Sequence, residues 1–439
     1  MSITRISILT LVCISFILPN TGENSQAYIC LTLGDTLQKA GAVNLQVMMA
    51  NARIEQAIAR ISQAQSDLLP HIEGVVRGGR QTSDLRAEGI QFPGIGTHIG
   101  PYNTFDARVR VTVALFDPSA FERFQAAKKG ENLSRAELEK TREDTLALVA
   151  ALFIDAQRKQ QTVKLIKTLL DKDQMAYELS EDGYTQGTGT LLETNKFKSD
   201  LDQTKYLYAQ AKLQAEDALL DLEAALQMPL NEPPLFLEDK VLLKALVKKT
   251  GINFNHATNA DMALAASQLE AREADQKTAY ADFLPKVSGS ADYGRSGQSP
   301  GNGSNTYTVG LAVSVPLWEG GAQQSRLKEV KGEIKEAQEN IQDASQQAQV
   351  KQAQARAAIV EADDLKEAKS QQLETAQKSL QIAFHAQEIG SGSVLEVMQA
   401  KADLAIAEDG YNEAQATWIM SHIDLLHAQG RLRELVHGN

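Results

Sequence analysis

The sequence predicts a mixed α and β fold that is mostly helical and is built from two repeated units. Each unit has the order helix, strand, strand, long helix, tip and long helix. Three observations support this prediction: an internal duplication, alternating apolar and polar residues in two segments, and seven-residue spacing in the last helix. Aromatic residues make up only 5% and charged residues 23% of the 439 residues, a composition typical of long, closely packed helices.

The N-terminus has the pattern of a secretory signal peptide, predicted to cover residues 1–27. Arg5 precedes an apolar run over residues 6–18, and residues 25–27 form a small-x-small cleavage site. The alternative is a buried N-terminal helix. The bulky pair Tyr28-Ile29 precedes Cys30 where small residues are expected, which argues against lipidation at this cysteine.

The duplication is carried by two pairs of segments in the same order. Val111–Ala120 is similar to Val313–Ala322, and Gly187–Glu193 is similar to Gly390–Glu396. Repeats of this kind indicate that one supersecondary unit is used twice.

The predicted boundaries follow from this duplication. The first repeat covers residues 28–228, with a β-hairpin at about 70–116 and a tip near 187–190. A connector covers 229–259, where Pro233-Pro234 interrupts the pattern. The second repeat covers 260–439, with a hairpin at about 285–317, a tip near 390–393 and a C-terminal tail.

Period-two alternation predicts the strands of both hairpins. One face of each strand is apolar, and the opposite face carries polar or small residues. The apolar positions in the first hairpin are Phe105, Ala107, Val109, Val111, Val113 and Leu115. Those in the second hairpin are Tyr307, Val309, Leu311, Val313, Val315 and Leu317. Such strands fit either a membrane sheet with lipid on one side or a soluble sheet over a core. Four strands are too few to close a barrel within one chain.

The helices are predicted to be unusually long. The run from Ala120 to about Asp182 would form a rod of ~90 Å at 1.5 Å per residue. In the last helix a large residue recurs every seven positions, which is typical of coiled-coil packing; the series is Val397, Leu404, Tyr411, Trp418, Leu425 and Leu432. At this spacing Tyr411 and Trp418 are interpreted as core residues rather than as a binding stripe.

Composition and motifs argue against several function classes. The net charge of −12 argues against nucleic acid as a partner. The seven histidines are scattered, and the sequence has no HExxH, Walker, nucleophile-elbow or GxGxxG motif. We therefore expect no enzymatic activity, no metal site and no cofactor.

Several motifs resemble those of the TolC-like outer-membrane factor family, which forms the exit ducts of efflux pumps and type I secretion systems. These are the helix-to-strand corners Asp67–Pro70 and Asp282–Pro285, the strand-to-helix segment Val315–Gly321, and the glycine-rich tips followed by Leu-Glu. Together with the duplication, the resemblance covers nearly all of the chain after the predicted signal peptide.

The resemblance implies a homotrimer in the Gram-negative outer membrane. Four strands from each chain would form a 12-stranded β-barrel, and the helices would continue it as an α-helical coiled-coil barrel into the periplasm. The duct would act passively, with a periplasmic adaptor (membrane fusion) protein and an inner-membrane transporter, either ABC or proton-driven, as partners. The alternative is a periplasmic coiled-coil scaffold or adaptor-like protein with a soluble β-domain and no pore.

The resemblance also implies roles for the tips. Adaptor contact and closure of the entrance would fall on Gly187, Thr188, Gly189 and Thr190, and on Gly390, Ser391, Gly392 and Ser393. A simple tight turn between helices also requires glycine. The entrance gate candidates are Glu396, Gln399 and Glu193. Each glutamate could instead stabilise a helix N-terminus, which is the reading favoured for Glu193.

Overall fold

The computed structural model describes residues 29–84, 89, 98–228, 235–237 and 259–436. The predicted signal peptide and most of the predicted connector lie outside these described residues, so the predicted domain boundaries stay predictions. Among the described residues, no helix combines the length and the apolar content needed to cross a membrane.

The fold is mixed and mostly helical, as predicted. The elements are β1 (Ile29–Leu31), α1 (Leu33–Val43), α2 (Leu45–Ser66), β2 (His71–Asp84), β3 (His98–Phe116), α3 (Pro118–Thr185), α4 (Leu191–Ala225), β4 (Leu235–Leu237), α5 (Ala260–Ala281), β5 (Lys286–Gly297), β6 (Gly303–Ser314), α6 (Ala322–Glu388), α7 (Val394–Ala428) and α8 (Arg433–Val436).

The two hairpins join side by side in one four-stranded antiparallel sheet of order β2-β3-β5-β6. Val109 of β3 pairs with Gly74 on one side and with Tyr293 on the other. Irregularities occur between Gln81 and Ser83 and between Ala114 and Phe116. β3 begins before its alternating segment, because backbone pairing continues beyond the residues whose side chains alternate. β6 instead ends at Ser314, before Val315 and Leu317 of the predicted apolar series.

Contacts divide the chain into two compact units, each of which contains segments from both repeats. One unit takes the described parts of Ala50–Leu138 and Asp261–Ser345 and contains the four-stranded sheet. The other takes the described parts of Met1–Met49, Glu139–Ala260 and Gln346–Asn439. We call these the sheet unit and the helical unit.

The helical unit has a continuous hydrophobic core. Leu37 of α1, Phe153 of α3, Leu222 of α4 and Leu426 of α7 are fully buried and belong to one cluster. Beside it, β1 pairs in parallel with β4 through Ile29 and Leu235. The N-terminal segment therefore contributes a helix to this unit and also a strand, which the sequence patterns did not indicate.

The predicted coiled-coil seam of the last helix is buried towards both ends and half-buried at Leu404 and Tyr411. Val397, Trp418 and Leu425 are buried on α7. The prediction that Leu432 continues this helix was wrong, because α7 ends at Ala428 and Gly430 adopts a φ of 66° that breaks the helical path. Leu432 is nevertheless fully buried, in the turn before α8.

Candidate functional site at the sheet and the helical tips

The four-stranded sheet has one strongly exposed apolar face. Tyr307 is 77% and Val309 75% exposed, and Ile72, Val76 and Tyr293 on the same face are also exposed. Leaving so much contiguous apolar area in water is unfavourable, at about 25 cal/mol per Å². A face of this kind indicates contact with lipid or with another protein.

The opposite face carries a charge network centred on Arg108. Its guanidinium contacts Asp106 on the same strand at 2.5 Å and Asp292 of β5 at 2.8 Å. The Ser296 hydroxyl donates to Asp106 Oδ1 at 2.6 Å. A further ion pair joins Arg110 to Glu73 across the first hairpin at 3.3 Å. The Arg108–Asp292 and Ser296–Asp106 bonds link the hairpins of the two repeats, which sequence periodicity alone did not indicate.

Gly294 makes room for this network at the junction of the hairpins. A Cβ at this position would lie 2.3 Å from the Ala107 carbonyl oxygen and 2.4 Å from Arg108 Cβ. Only glycine fits so close to the neighbouring strand.

The first tip joins α3 to α4 through a glycine turn. Gly187 has a φ of 78°, which glycine adopts without strain. The backbone N–H groups of Thr188 and Gly189 both donate to the Gly183 carbonyl at 2.9 Å. Thr190 caps α4, since its hydroxyl accepts from the Glu193 N–H at 3.3 Å.

The second tip joins α6 to α7 with the same backbone pattern. Gly390 has a φ of 72°. The N–H groups of Ser391 and Gly392 both donate to the Ala386 carbonyl at 2.9 Å. Ser393 caps α7. The duplication is therefore reproduced in the hydrogen bonds as well as in the residue types.

The structure gives Glu396 a local role at the second tip. Its N–H donates to the Ser393 hydroxyl at 3.2 Å, and its carboxylate accepts from the Ser393 N–H at 2.8 Å. This reciprocal pair is a capping box. Gln399 donates to Asp403 Oδ1 at 2.8 Å along the same exposed helix. The gate role of these residues stays a prediction.

Large apolar side chains flank both tips. Leu192 is 82% exposed at the start of α4, and Ile389 is 80% exposed just before Gly390. Neither residue is among the candidate site residues predicted from the sequence. An apolar residue next to an exposed glycine turn could have identified them. Each tip therefore offers backbone polar groups beside an apolar side chain, the combination that a partner helix can use.

A buried acidic residue holds the C-terminal segment of the helical unit. Glu143 is 3% exposed, and its Oε2 accepts from the Leu432 N–H at 3.0 Å. Arg433 Nε lies 3.5 Å from its other oxygen. Burial raises the pKa of the Glu143 carboxyl above its ordinary value, and the donors from Leu432 and Arg433 offset part of that shift.

In the part of the chain that the structure describes, no group of three or more His, Cys, Asp or Glu side chains is arranged to hold a metal ion. The geometry offers a two-faced sheet and paired helical tips, which are suited to contact rather than to chemistry.

Comparison with known proteins gives a family match over most of the chain. The family model described as outer membrane efflux protein matches residues 36–227 and 255–431. The outer membrane efflux protein BepC of Brucella suis is 22% identical over 96% of this chain and 90% of its own length. The alkaline protease secretion protein AprF of Pseudomonas aeruginosa is 22% identical over 58% of this chain and 54% of its own length.

A solved structure has the same fold. The CmeC outer membrane channel of Campylobacter jejuni superposes with a TM-score of 0.75 at 18% identity, covering 91% of this chain and 85% of CmeC. At this identity the likeness concerns the fold alone.

Proposed function

This chain belongs to the outer membrane efflux protein family, and we propose that three copies assemble into a passive exit duct. Membership makes it an outer-membrane transport protein rather than an enzyme. In the proposed assembly, four strands from each copy close one 12-stranded barrel, and the long helices continue the duct into the periplasm.

The observation that carries this proposal is the two-faced sheet. Its exposed apolar face, with Tyr307 and Val309, suits lipid, and its charged face, with Arg108 and Asp292, suits a water-filled lumen. Four strands cannot close on themselves, so the barrel requires further copies of the same sheet. A cyclic trimer meets this requirement with one repeated interface.

The partners follow from the duct having no energy source of its own. We propose that an inner-membrane transporter, ABC or proton-driven, supplies the energy and that a periplasmic adaptor protein connects it to the tips. The tip residues named above would form the docking surface, with Leu192 and Ile389 as the apolar contacts. The transporter that the duct engages would then determine whether the process is efflux or type I secretion.

The entrance gate is proposed to involve Glu396. Threefold symmetry would bring three copies of this carboxylate around one axis, where they could bind cations. Its capping-box bond occupies one carboxylate oxygen, so the second oxygen stays available as a ligand.

Insertion and conductance test the duct directly. We expect the protein to be recovered with outer membranes, to run as a trimer in detergent, and to conduct ions in planar bilayers. Val309→Lys should abolish insertion, because a lysine on a lipid-facing strand costs ~2–4 kcal/mol per copy at the middle of the bilayer. The matched change Thr306→Lys, three residues earlier on the polar face of the same strand, should not. Recovery of the unmodified protein in the periplasm without detergent would contradict the proposal.

Divalent-cation block of the conductance tests the gate. Glu396→Gln should weaken the block, because the carboxylate that binds the cation is lost. Glu193→Gln is the control at the first tip and should leave the block unchanged. Equal block in the Glu396→Gln variant and the unmodified protein would remove Glu396 from the gate.

A further inference from the structure

The apolar face of the sheet carries charge only near its hairpin turns, and that charge is positive. Among the described strand residues that pair in regular register as far as Gln81, this face has no Asp, Glu or Lys side chain, and its charged residues are Arg80 and Arg295. The carboxylates Asp106 and Asp292 lie on the opposite face. We call Arg80 and Arg295 the arginine pair.

Strand register and contacts place both arginines on the apolar face. Arg295 pairs with Ala107, a member of the predicted apolar series. A Cβ at Gly303 would lie 3.0 Å from Arg295 Cγ, so the stem of this arginine lies over the glycine on that face. Arg80 lies four residues after Val76, which is 73% exposed on the same face. Both arginine side chains are exposed.

The two arginines occupy equivalent positions in the duplication. Each lies ten residues after the proline of its helix-to-strand corner, which is Pro70 in the first repeat and Pro285 in the second. A glycine precedes the arginine in both repeats. The same charge at the same position of both repeats, on an otherwise apolar face, indicates a shared role rather than a chance surface residue.

The position of the arginine pair along the strands fits the edge of a membrane. Arg80 lies eight residues after Ile72, and Arg295 lies eight residues after Val287, the first apolar-face residues of their strands. Eight residues extend ~27 Å along a strand, or about 20 Å of membrane depth at a tilt of ~40°. The apolar band of a membrane barrel is ~25 Å tall, and an arginine near its edge costs only ~0–1 kcal/mol.

The hairpin turns lie at the end of the sheet that is opposite the helices. The strand ends that join helices lie together, because His71 pairs with Thr112 and Lys286 pairs with Ser314. In the proposed duct the helices extend into the periplasm, so the arginine pair lies at the outer leaflet. In a Gram-negative outer membrane this leaflet is built from a phosphorylated glycolipid, lipopolysaccharide.

The arginine pair has charge and donors available for an anion. Arg295 Nε donates to the Gly303 carbonyl at 2.9 Å, and its Nη2 donates to the Gly301 carbonyl at 3.4 Å. These neutral acceptors orient the guanidinium without neutralising it, and the Nη1 donors stay available. Within the described residues, no carboxylate pairs with Arg80 or Arg295. Arginine binds phosphate through charge-assisted, often bidentate bonds.

We propose that the arginine pair binds the phosphate groups of lipopolysaccharide. The acyl chains of the same lipid lie against the apolar face below the pair, where Tyr293 and Tyr307 are exposed. In the proposed trimer, each copy contributes one such arginine from each of its hairpins, so the contacts surround the barrel. This inference rests on the proposed function, because it requires the hairpin turns to lie at the outer leaflet.

Titration of the detergent-solubilised full-length protein with fluorescently labelled lipopolysaccharide tests the pair. Arg80→Gln/Arg295→Gln should bind about 30-fold more weakly, from a roughly fivefold loss for each cation near a lipid surface. Arg77→Gln is the matched control, because it removes the same charge from β2 three residues before Arg80, on the opposite face where Arg77 pairs with Asp106. This control should bind as the unmodified protein does.

A charge-keeping variant separates the loss of charge from a folding defect. Arg80→Lys/Arg295→Lys should bind more tightly than the double glutamine variant, because it retains both cations. Equal binding by these two variants would overturn the role of charge.

Competition identifies the lipid. Lipopolysaccharide from which the phosphates have been removed should not displace the labelled lipid at equal concentration. Phosphatidylglycerol should not displace it either, since it offers one phosphate and two chains where lipopolysaccharide offers several of each. Equal displacement by phosphatidylglycerol would show a general surface for anionic lipids and overturn the glycolipid assignment.

Two outcomes separate this proposal from the proposed duct. If the protein inserts and conducts but Arg80→Gln/Arg295→Gln binds lipopolysaccharide like the Arg77→Gln control, the arginine site is wrong and the duct stands. If the unmodified protein neither inserts nor conducts, the duct itself fails, and the lipid site fails with it.

Discussion

Replacing Gly294 with alanine should weaken the junction between the two hairpins. The added Cβ would lie 2.3 Å from the Ala107 carbonyl oxygen, 2.4 Å from Arg108 Cβ and 2.6 Å from Arg108 Cα. Carbon atoms prefer separations of ~3.5–4.0 Å, so β5 would have to move away from β3 by about 1 Å. Two of the three atoms belong to the backbone, and a rotamer change therefore cannot relieve the contact.

The expected loss of folding free energy combines the cost of overpacking with the cost of hydrogen bonds lost between β3 and β5. Overpacking costs ~1–3 kcal/mol, and each backbone hydrogen bond lost at the junction costs ~0.5–1.5 kcal/mol. We expect a loss of about 3 kcal/mol per copy. In circular dichroism of the detergent-solubilised protein, the unfolding midpoint should fall by roughly 3 °C.

Gly310→Ala is the matched control in the same sheet. A Cβ there would meet only the Ser290 hydroxyl at 3.7 Å, an ordinary contact. Its midpoint should be unchanged or slightly higher, because alanine reduces the entropy of the unfolded chain. Adding Arg108→Ala should not rescue Gly294→Ala, since the contact with the Ala107 carbonyl persists. If Gly294→Ala unfolds at the same temperature as Gly310→Ala, the reasoning about the junction is refuted.

Three further predictions concern the helical unit. Because the folded-state pKa of Glu143 is raised, the stability it contributes is full below its unfolded value and is lost as pH rises through the folded value. Glu143→Gln should remove that part of the pH dependence in thermal unfolding from pH 4 to 8, and an unchanged slope would contradict this. Ser393→Ala should cost ~1 kcal/mol in chemical unfolding by removing the capping box, whereas Ser393→Asp, which keeps a capping oxygen, should cost less. Trp418→Phe should cost ~1–2 kcal/mol in the same assay, since it leaves Asp363 without the indole donor at 2.6 Å; an unfolding free energy equal to that of the unmodified protein would count against this bond.

Much of the fold was predictable because the signals that carry it are local. Alternation located β3 and β6, although the apolar series continues to Leu317 beyond the end of β6 at Ser314, and the duplication placed the tips. Asp117 accepts from the Ala120 N–H at 3.0 Å and so caps the helix that begins at Pro118, a local pattern of an acidic residue before a proline. These features depend on a residue and its near neighbours, so the sequence displays them directly.

Features that depend on distant pairing were not predictable. The Arg108–Asp292 bond joins residues 184 positions apart, and no period relates them. The same holds for β1 and β4, which are three-residue strands too short to show alternation. For Glu396, the sequence allowed both a gate and a helix-stabilising role. The structure shows the helix-stabilising role through the bonds to Ser393. The gate role would require several copies of the chain around one axis, and a single protomer does not show them.

The four-stranded sheet also affects how readily a newly exported chain can aggregate. Its outer strands β2 and β6 run in opposite directions, because an even number of antiparallel strands separates one edge from the other. Each edge presents unpaired backbone groups of the kind that recruit foreign strands. A single subunit therefore carries two unpaired strand edges beside an apolar face, and the β2 edge of one copy can pair with the β6 edge of another. In the proposed trimer both edges would pair with neighbouring copies, so the step most exposed to aggregation would be the interval between export and closure of the ring.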